Sequence, residues 1–141
     1  MTFRVMIADT VAPDGLRAFE QCECLEVVDR AGISADELCQ EIKDYDGLVV
    51  RSRSQVNADV IEAADRLKIV GRAGIGVDNI DLDAATRAGV VVVNAPDGNA
   101  TTTAEHTLSL LMSAARKIPQ ATASMKAGKW EKKKFMGTEL C

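Results

Sequence analysis

Three arginines stand directly after two predicted strands of this 141-residue chain. Arg51 and Arg53 follow the apolar run 47–50, and Arg72 follows the run 68–71. Guanidinium groups bind carboxylate and phosphate groups in a bidentate manner. One arginine in such a place is most often a solvated surface charge. Three of them at one edge of a sheet favour a site for an anionic ligand.

Small and polar residues accompany these arginines. Glycine-rich turns can present backbone N–H groups that form an anion-binding nest. Asparagines follow the last predicted strand, and the carboxyl end of that strand lies at the same edge of a parallel sheet as the arginines. The sequence therefore predicts an anion-binding edge made of Arg51, Ser52, Arg53, Arg72, the turn with Ala73, Gly74 and Gly76, and the asparagines Asn94 and Asn99.

The Gly74-Ile75-Gly76 turn also has an alternative interpretation. It follows a strand and precedes a helix, and Asp97 lies about twenty residues further on, as in a dinucleotide-binding fingerprint. The third glycine position of that fingerprint is occupied by Asn79, however, so the close helix–strand packing that it requires is unsupported. We interpret the turn as a substrate-contacting loop.

His106 is the chain's one histidine and is a candidate general base. It falls in the first turn of an apolar helix, where the neighbouring Glu105 is its one acidic partner. This placement favours a histidine on a helix surface or an interface. Three aspartates nearby in the sequence suit the start of a helix better than carboxylate catalysis: Asp78, Asp81 and Asp83.

The four cysteines are Cys22, Cys24, Cys39 and Cys141. They form no C-x-x-C pair, and with a single histidine they do not match a zinc site, so we expect no metal centre. Reduced thiols in a cytoplasmic protein are the expected state. Cys39 lies among apolar neighbours on a predicted helix, which indicates a buried, inert thiol.

Apolar runs and helical patterns alternate along the first hundred residues. The strands are predicted at 4–9, 25–28, 47–50, 68–71 and 90–93, with helices at 13–20, 57–67 and 81–88 and one beginning at Ser34 in a Ser-x-x-Glu capping box. This alternation predicts an α/β fold: an open parallel sheet of about five strands with helices on both faces.

The composition changes after Pro96. A long apolar helix ended by Pro119, a second helix at 120–127 and a polar, extended tail are predicted there. We expect a substrate-binding domain over 1–97 and linker or dimerisation helices with the tail over 98–141. Because Phe135, Met136 and Leu140 have no following element to pack against, the sequence is expected to have been cut from a larger protein.

Charge and hydropathy argue against several classes of protein. From Arg116 onward there are seven basic and two acidic residues, although the whole chain carries a net charge of −4. No nucleic-acid-binding signature accompanies this basic end, so docking on a protein surface is favoured over RNA or DNA. No apolar run reaches the length of a membrane helix, and no signal peptide is expected.

Four segments carry a family resemblance: VVRSRSQV, KIVGRAGIGVDNIDLDAATRAGVVVVNAP, AEHTLSLLMSAARKIPQA and GKWEKKKFMGTEL. Over essentially all 141 residues the chain resembles the NAD-dependent D-2-hydroxyacid dehydrogenases. The resemblance implies a flavodoxin-like substrate domain, with a Rossmann domain that begins beyond this sequence. The catalytic arginine, glutamate and histidine of the family would lie in that later part. None is expected here, and His106 does not match the catalytic histidine.

The resemblance also assigns roles to matching positions. It implies that Arg51 and Ser52 meet a phosphate end of the substrate, and that the loop of Arg72 holds the carboxylate through backbone N–H groups. Ile75 would lie near the nicotinamide of NAD, and Asn99 on the substrate side. In the tail, Trp130 and Lys132 would reach the active site of a partner subunit.

The members that it resembles most oxidise 3-phospho-D-glycerate to 3-phosphohydroxypyruvate, the first step of phosphorylated serine biosynthesis. The expected parent is thus a cytoplasmic, homo-oligomeric oxidoreductase, of which this chain alone is inactive and self-associates. Two alternatives stay open. One is a dehydrogenase of the glycerate or lactate type, and the other is a non-enzymatic anion-binding module.

Overall fold

A computed structural model describes residues 2–140 of the chain as two compact units. The chain passes from the first unit to the second between Gly98 and Asn99. No helix in the described part is long and apolar enough to cross a membrane.

The first unit is built around five parallel strands in the order β2-β1-β3-β4-β5. This order is that of a flavodoxin-like doubly wound sheet, and it confirms the predicted fold class. The strands are β1 (Phe3–Ile7), β2 (Leu25–Asp29), β3 (Gly47–Val50), β4 (Ile69–Arg72) and β5 (Val91–Asn94). The helices are α1 (Pro13–Glu20), α2 (Ala35–Glu41), which runs into a 3-10 turn at Ile42–Asp44, α3 (Ala58–Glu62) and α4 (Leu82–Ala88).

Most of the core lies on one face of this sheet. Met6, Leu48 and Val70 from neighbouring strands are almost fully buried there. Three helices close this side and contribute Leu38 and Ile42, Val60 and Ile61, and Ala84 and Ala85. The capping box predicted at Ser34 is present, with the Ser34 hydroxyl and the Glu37 carboxylate each accepting the other's backbone N–H.

The opposite face is less covered. The strand β2 lies on one side of β1, whereas β3, β4 and β5 follow one another on its other side. A right-handed crossover from β1 to β2 therefore places α1 on the face opposite to the other helices. Over β4 and β5, Ile69, Val91 and Val93 remain 42–57% exposed. Gly47 lies in this face, and a Cβ there would come within 3.3 Å of Val5 and 3.5 Å of Ile69.

Helix α3 is shorter than the predicted 57–67. It ends at Glu62, and Ala64 closes a turn onto Ile61. The chain must leave the helix early so that Leu67 reaches the core and the Lys68 N–H donates to Asp46 O (2.8 Å). A helical pattern alone does not show this constraint.

The second unit contains α5 (Ala100–Ala115), α6 (Ile118–Lys126) and a 3-10 turn at Lys132–Phe135. The break between the helices comes at Lys117, whose backbone is left-handed (φ 52°). Pro119 was predicted to end the first helix, but it lies in the first turn of α6, where an N–H is not needed. The tail is not wholly extended, because Lys134 N–H donates to Glu131 O (2.9 Å) to close the 3-10 turn.

Candidate functional site

A buried carboxylate accepts hydrogen bonds from the backbone of the Arg51–Arg53 loop and of the residue that follows it. Asp9, two residues beyond β1, accepts the N–H of Arg51 on Oδ2 (2.6 Å). It also accepts the Ser54 N–H (3.2 Å) and the Ser54 hydroxyl (2.8 Å). Burial raises the pKa of Asp9, but the hydrogen bonds from Arg51 and Ser54 outweigh it, so the pKa lies below its ordinary value. The loop therefore starts from a charged anchor.

The side chains of Arg51 and Arg53 stay at the surface. Arg51 Nη1 makes one long contact with Thr10 O (3.4 Å), and Arg53 Nη2 donates to Gly32 O (3.0 Å). Both residues are exposed. Each guanidinium group has further N–H donors, which suits it to an incoming anion.

Arg72 is placed differently from the other two arginines. Its side chain is only 10% exposed. Nε donates to Arg51 O (3.2 Å), and Nη1 pairs with Asp78 Oδ1 (3.0 Å). Arg72 thus links the end of β3 to the loop after β4 and braces both.

The loop after β4 wraps closely around that guanidinium group. A Cβ at Gly76 would lie 2.7 Å from Arg72 Nη1, whereas one at Gly74 would meet Arg72 at an ordinary 3.8 Å. The Ala73 and Gly74 N–H groups donate to Val50 O and Arg72 O (both 2.8 Å). Within residues 2–140 the N–H groups of Ile75 and Gly76 donate no hydrogen bond, so both can serve a ligand.

Two asparagines fix this loop from its sides. Asn79 Nδ2 donates to Arg51 O (2.8 Å) and Ser54 O (2.6 Å). Asn94 Nδ2 donates to Ile75 O (2.5 Å), and the Ala95 N–H donates to Gly74 O (3.0 Å). Neighbouring strands therefore hold both loops at one edge of the sheet.

Asp9 and the structural role of Asn79 were missed from the sequence. Arg51 and Arg72 were selected because they stand at the carboxyl ends of strands, and Asp9, the last residue of the predicted strand 4–9, stands at the same end. From the sequence, Asn79 indicates only a departure from a glycine fingerprint. Its two hydrogen bonds explain why an amide stands there.

The predicted residues Asn99, Trp130 and Lys132 belong to the second unit. Asn99 precedes α5 and accepts the Thr103 N–H on its backbone oxygen (2.9 Å). Trp130 is 77% exposed, and Lys132 begins the 3-10 turn. Between them, the Glu131 carboxylate accepts the Ser124 hydroxyl (2.8 Å), and this bond lowers the Glu131 pKa. His106 is on the exposed surface of α5.

The helix after the glycine loop is a poor site for a dinucleotide pyrophosphate. The Asp81 carboxylate caps α4 by accepting the Ala84 N–H (2.8 Å), and Asp83 adds a second carboxylate in the first turn. These groups would repel a phosphate where a dinucleotide fold needs free N–H groups. Ile75 in the loop before this helix is 39% exposed and presents an apolar side chain to solvent.

Comparison with known sequences decides the family. The sequence model described as "D-isomer specific 2-hydroxyacid dehydrogenase, catalytic domain" matches residues 5–138. The chain belongs to this family. The predicted family resemblance is thereby confirmed.

Known relatives place the chain within the D-2-hydroxyacid dehydrogenase family. It is 55% identical over 137 residues to human D-3-phosphoglycerate dehydrogenase, which covers 97% of this chain and 26% of that protein. The chain thus spans about a quarter of the length of the curated relatives that it matches.

Solved structures of the family share the fold. The PH0520 protein of Pyrococcus horikoshii superimposes with a TM-score of 0.82 at 28% identity, over 99% of this chain and 43% of that one. NAD+-bound 3-phosphoglycerate dehydrogenase of Entamoeba histolytica gives a TM-score of 0.69 at 26% identity, over 83% of this chain and 40% of that one.

Proposed function

We propose that this chain is the substrate-binding part of an NAD-dependent oxidoreductase that oxidises 3-phospho-D-glycerate to 3-phosphohydroxypyruvate. The observation that carries the proposal is the pairing of two different anion-binding elements at one sheet edge. The exposed side chains of Arg51 and Arg53 form one element. The backbone N–H groups of Ile75 and Gly76, which donate no hydrogen bond within residues 2–140, form the other.

The two elements suit the two anionic ends of such a substrate. A phosphate carries more charge and accepts bidentate guanidinium contacts, which fits Arg51 and Arg53. A carboxylate is held well by consecutive backbone N–H groups, which fits Ile75 and Gly76. The name of the 55% identical human relative points to the same substrate class.

NAD is the cofactor that we assign to the whole protein. It would supply the hydride acceptor, and Ile75 would contact one edge of its nicotinamide ring. The carboxylates at the start of α4 leave its pyrophosphate to residues beyond this sequence. We propose the division 1–97 and 98–141 for the substrate domain and the linker segment, with Asn99 on the substrate side.

We further infer a cytoplasmic enzyme of serine biosynthesis that acts as a homo-oligomer, with Trp130 and Lys132 reaching a partner subunit's site. No group in this chain is assigned to proton or hydride transfer. The 141-residue chain with phosphoglycerate and NAD is accordingly expected to form no NADH, and a steady rise in absorbance of NADH would contradict this.

The test of substrate class is Arg51→Ala in the whole protein. Loss of one charge-assisted contact of about 1.5–3 kcal/mol should raise the KM for 3-phosphoglycerate by about tenfold or more, because 1.4 kcal/mol corresponds to a factor of ten. The KM for an unphosphorylated hydroxy acid such as D-glycerate should change much less. The measurement is steady-state kinetics with both substrates.

Arg87→Ala is the matched control, since it removes the same charge from the last turn of α4 at the opposite edge of the sheet. It should leave both KM values unchanged. Equal effects of Arg51→Ala on both acids would favour a glycerate- or lactate-type enzyme. Absence of any phosphoglycerate oxidation by the whole protein would favour an anion-binding module.

A further inference from the structure

Two cysteines that the proposed function does not use lie side by side at the surface. Cys22 and Cys24 flank Glu23 in the connection between α1 and β2, and their Sγ atoms are 2.8 Å apart. Cys24 is exposed and Cys22 is half-buried. Both sulfurs are therefore close to each other and within reach of small solutes.

The backbone holds this pair in place. The Leu25 N–H donates to Cys22 O (3.0 Å), which closes a four-residue turn with the thiols at its first and third positions. The Cys22 N–H donates to Phe19 O (3.1 Å), and the Phe3 N–H donates to Cys24 O (2.9 Å). These bonds tie the turn to α1 and β1, so the two thiols are brought together before any reaction.

We propose that Cys22 and Cys24 form a dithiol site that undergoes thiol–disulfide exchange with small disulfides such as oxidised glutathione. The hydrogen bond from Cys24 lowers the pKa of the Cys22 thiol, while the same contact raises the pKa of Cys24. The thiolate is the nucleophile in such exchange, so Cys22 attacks first.

The exchange balances in two steps. The Cys22 thiolate attacks one sulfur of glutathione disulfide, forms a mixed disulfide and releases one glutathione thiolate. Cys24 then gives up its proton and attacks Cys22 Sγ, which forms the Cys22–Cys24 bond and releases the second glutathione. Two protein thiols are oxidised, and one glutathione disulfide is reduced to two thiols.

Cys39 provides an internal comparison. It is half-buried against the core, and burial raises the pKa of its thiol. A thiol with a raised pKa and poor access reacts slowly. Reaction with glutathione disulfide should therefore distinguish the pair from Cys39 in the same molecule.

The experiment equilibrates the unmodified chain with glutathione buffers of increasing oxidised fraction, followed by alkylation and tryptic mass mapping. Cleavage after Arg17 and Arg30 releases one peptide that contains Cys22, Cys24 and no other cysteine. We expect this peptide to lose two hydrogens and to carry neither alkyl group nor glutathione. A peptide that stays fully alkylated, or that carries only glutathione adducts, would overturn the proposal.

Variants assign the order of attack. In a Cys39→Ser/Cys141→Ser background, adding Cys24→Ser keeps a hydroxyl donor beside Cys22 and should trap glutathione on Cys22. Adding Cys24→Ala instead removes that donor and should slow adduct formation on Cys22 about threefold or more, because the contact that lowers the Cys22 pKa is lost. Equal rates for the two variants would contradict activation of Cys22 by its neighbour. Covalent dimers in place of the internal bond would contradict the dithiol site itself.

Discussion

At Arg72 a guanidinium group that the sequence suggested for ligand binding is withdrawn into the protein. With its side chain only 10% exposed, it bonds Arg51 O and Asp78 and leaves the ligand to the loop around it. In the proposed site, the charge of Arg72 would act on an anion at a distance, while the neighbouring N–H groups that it helps to position would act by contact. Because the loop wraps around this guanidinium group, a side chain is less easily accommodated at Gly76 than at Gly74.

Gly76→Ala should disturb this brace, whereas Gly74→Ala should not. The new Cβ at Gly76 would overlap Arg72 Nη1 and Asp78 Oδ1 (2.7 and 2.8 Å), so the ion pair must move. Because both atoms are the ends of flexible side chains and Asp78 is 82% exposed, we expect the free energy of unfolding to fall by at most about 1 kcal/mol, the range for a partly exposed ion pair. At Gly74 the contacts are ordinary, so urea denaturation should match the wild type. Similar losses for both variants would argue against the brace.

Asp9→Asn should destabilise the first unit in a pH-dependent manner. A hydrogen-bonded buried carboxylate that loses its charge costs about 1–3 kcal/mol. Because its folded-state pKa is lowered, the stabilisation by Asp9 is complete above the ordinary carboxyl pKa and is lost as the pH falls through the folded-state value.

The measurement for Asp9 is the free energy of unfolding of both proteins from neutral to acidic pH. The difference between wild type and Asp9→Asn should be largest near neutrality and should shrink in acid. The exposed Asp97→Asn is the control and should show little difference at any pH. A difference that grows in acid would contradict the assignment.

On the scale of single elements, the helix break at Lys117 shows how a residue rather than a proline ends a helix. A left-handed backbone costs a residue with a Cβ about 1 kcal/mol, and no glycine relieves it here. Pro119 instead supports the start of α6, because its fixed φ suits the first turn. The backbone strain at Lys117 therefore lies in the short connection between α5 and α6.

Lys117→Gly is expected to stabilise the second unit by about 0.5–1 kcal/mol by removing this strain. The same change at Lys126, within α6, should destabilise it by about 1 kcal/mol, because glycine is a poor helix residue. Amide hydrogen exchange across α5 and α6 measures both effects. Loss of protection in Lys117→Gly would contradict the left-handed conformation at this position.

For the whole molecule, the sheet was predictable because buried parallel strands form continuous apolar runs between turn signals. Each of the five strands lies within two residues of its predicted bounds. What local pattern could not show were long-range hydrogen bonds. The bonds that Asp9 accepts and those that Asn79 donates hold loops that are far apart in sequence, and the Lys68 N–H bond to Asp46 O shortens α3. The family roles of Asn99, Trp130 and Lys132 stay predictions.

The second unit leaves a large apolar surface, which should promote self-association. No side chain of α5 is buried, and Leu108 and Leu111 are 61% and 49% exposed one turn apart. Apolar patches of this kind mark association surfaces. The chain is therefore expected to dimerise or form larger assemblies at micromolar concentrations.

Analytical ultracentrifugation over a concentration series tests this expectation. Leu108→Glu with Leu111→Glu should shift the chain towards monomer. Gln40→Glu, at an exposed polar position of the first unit, is the comparison and should leave the association unchanged. A wild-type chain that is monomeric at every concentration would contradict the prediction.

The proposed carboxylate contacts use main-chain N–H groups, so a change of side chain at such a position need not remove the contact. A substitution at Ile75 changes the side chain but leaves the backbone in place, because Asn94 Nδ2 donates to the Ile75 carbonyl oxygen. Position 75 is thus open to exchange that alters which cofactor edge or substrate group is favoured, without loss of the anion. Gly76 and Asn79, which follow in the same loop, have less freedom, because a Cβ at Gly76 would displace Arg72 and because Asn79 Nδ2 bonds Arg51 O and Ser54 O. Deep mutational scanning should show more tolerance at position 75 than at positions 76 and 79.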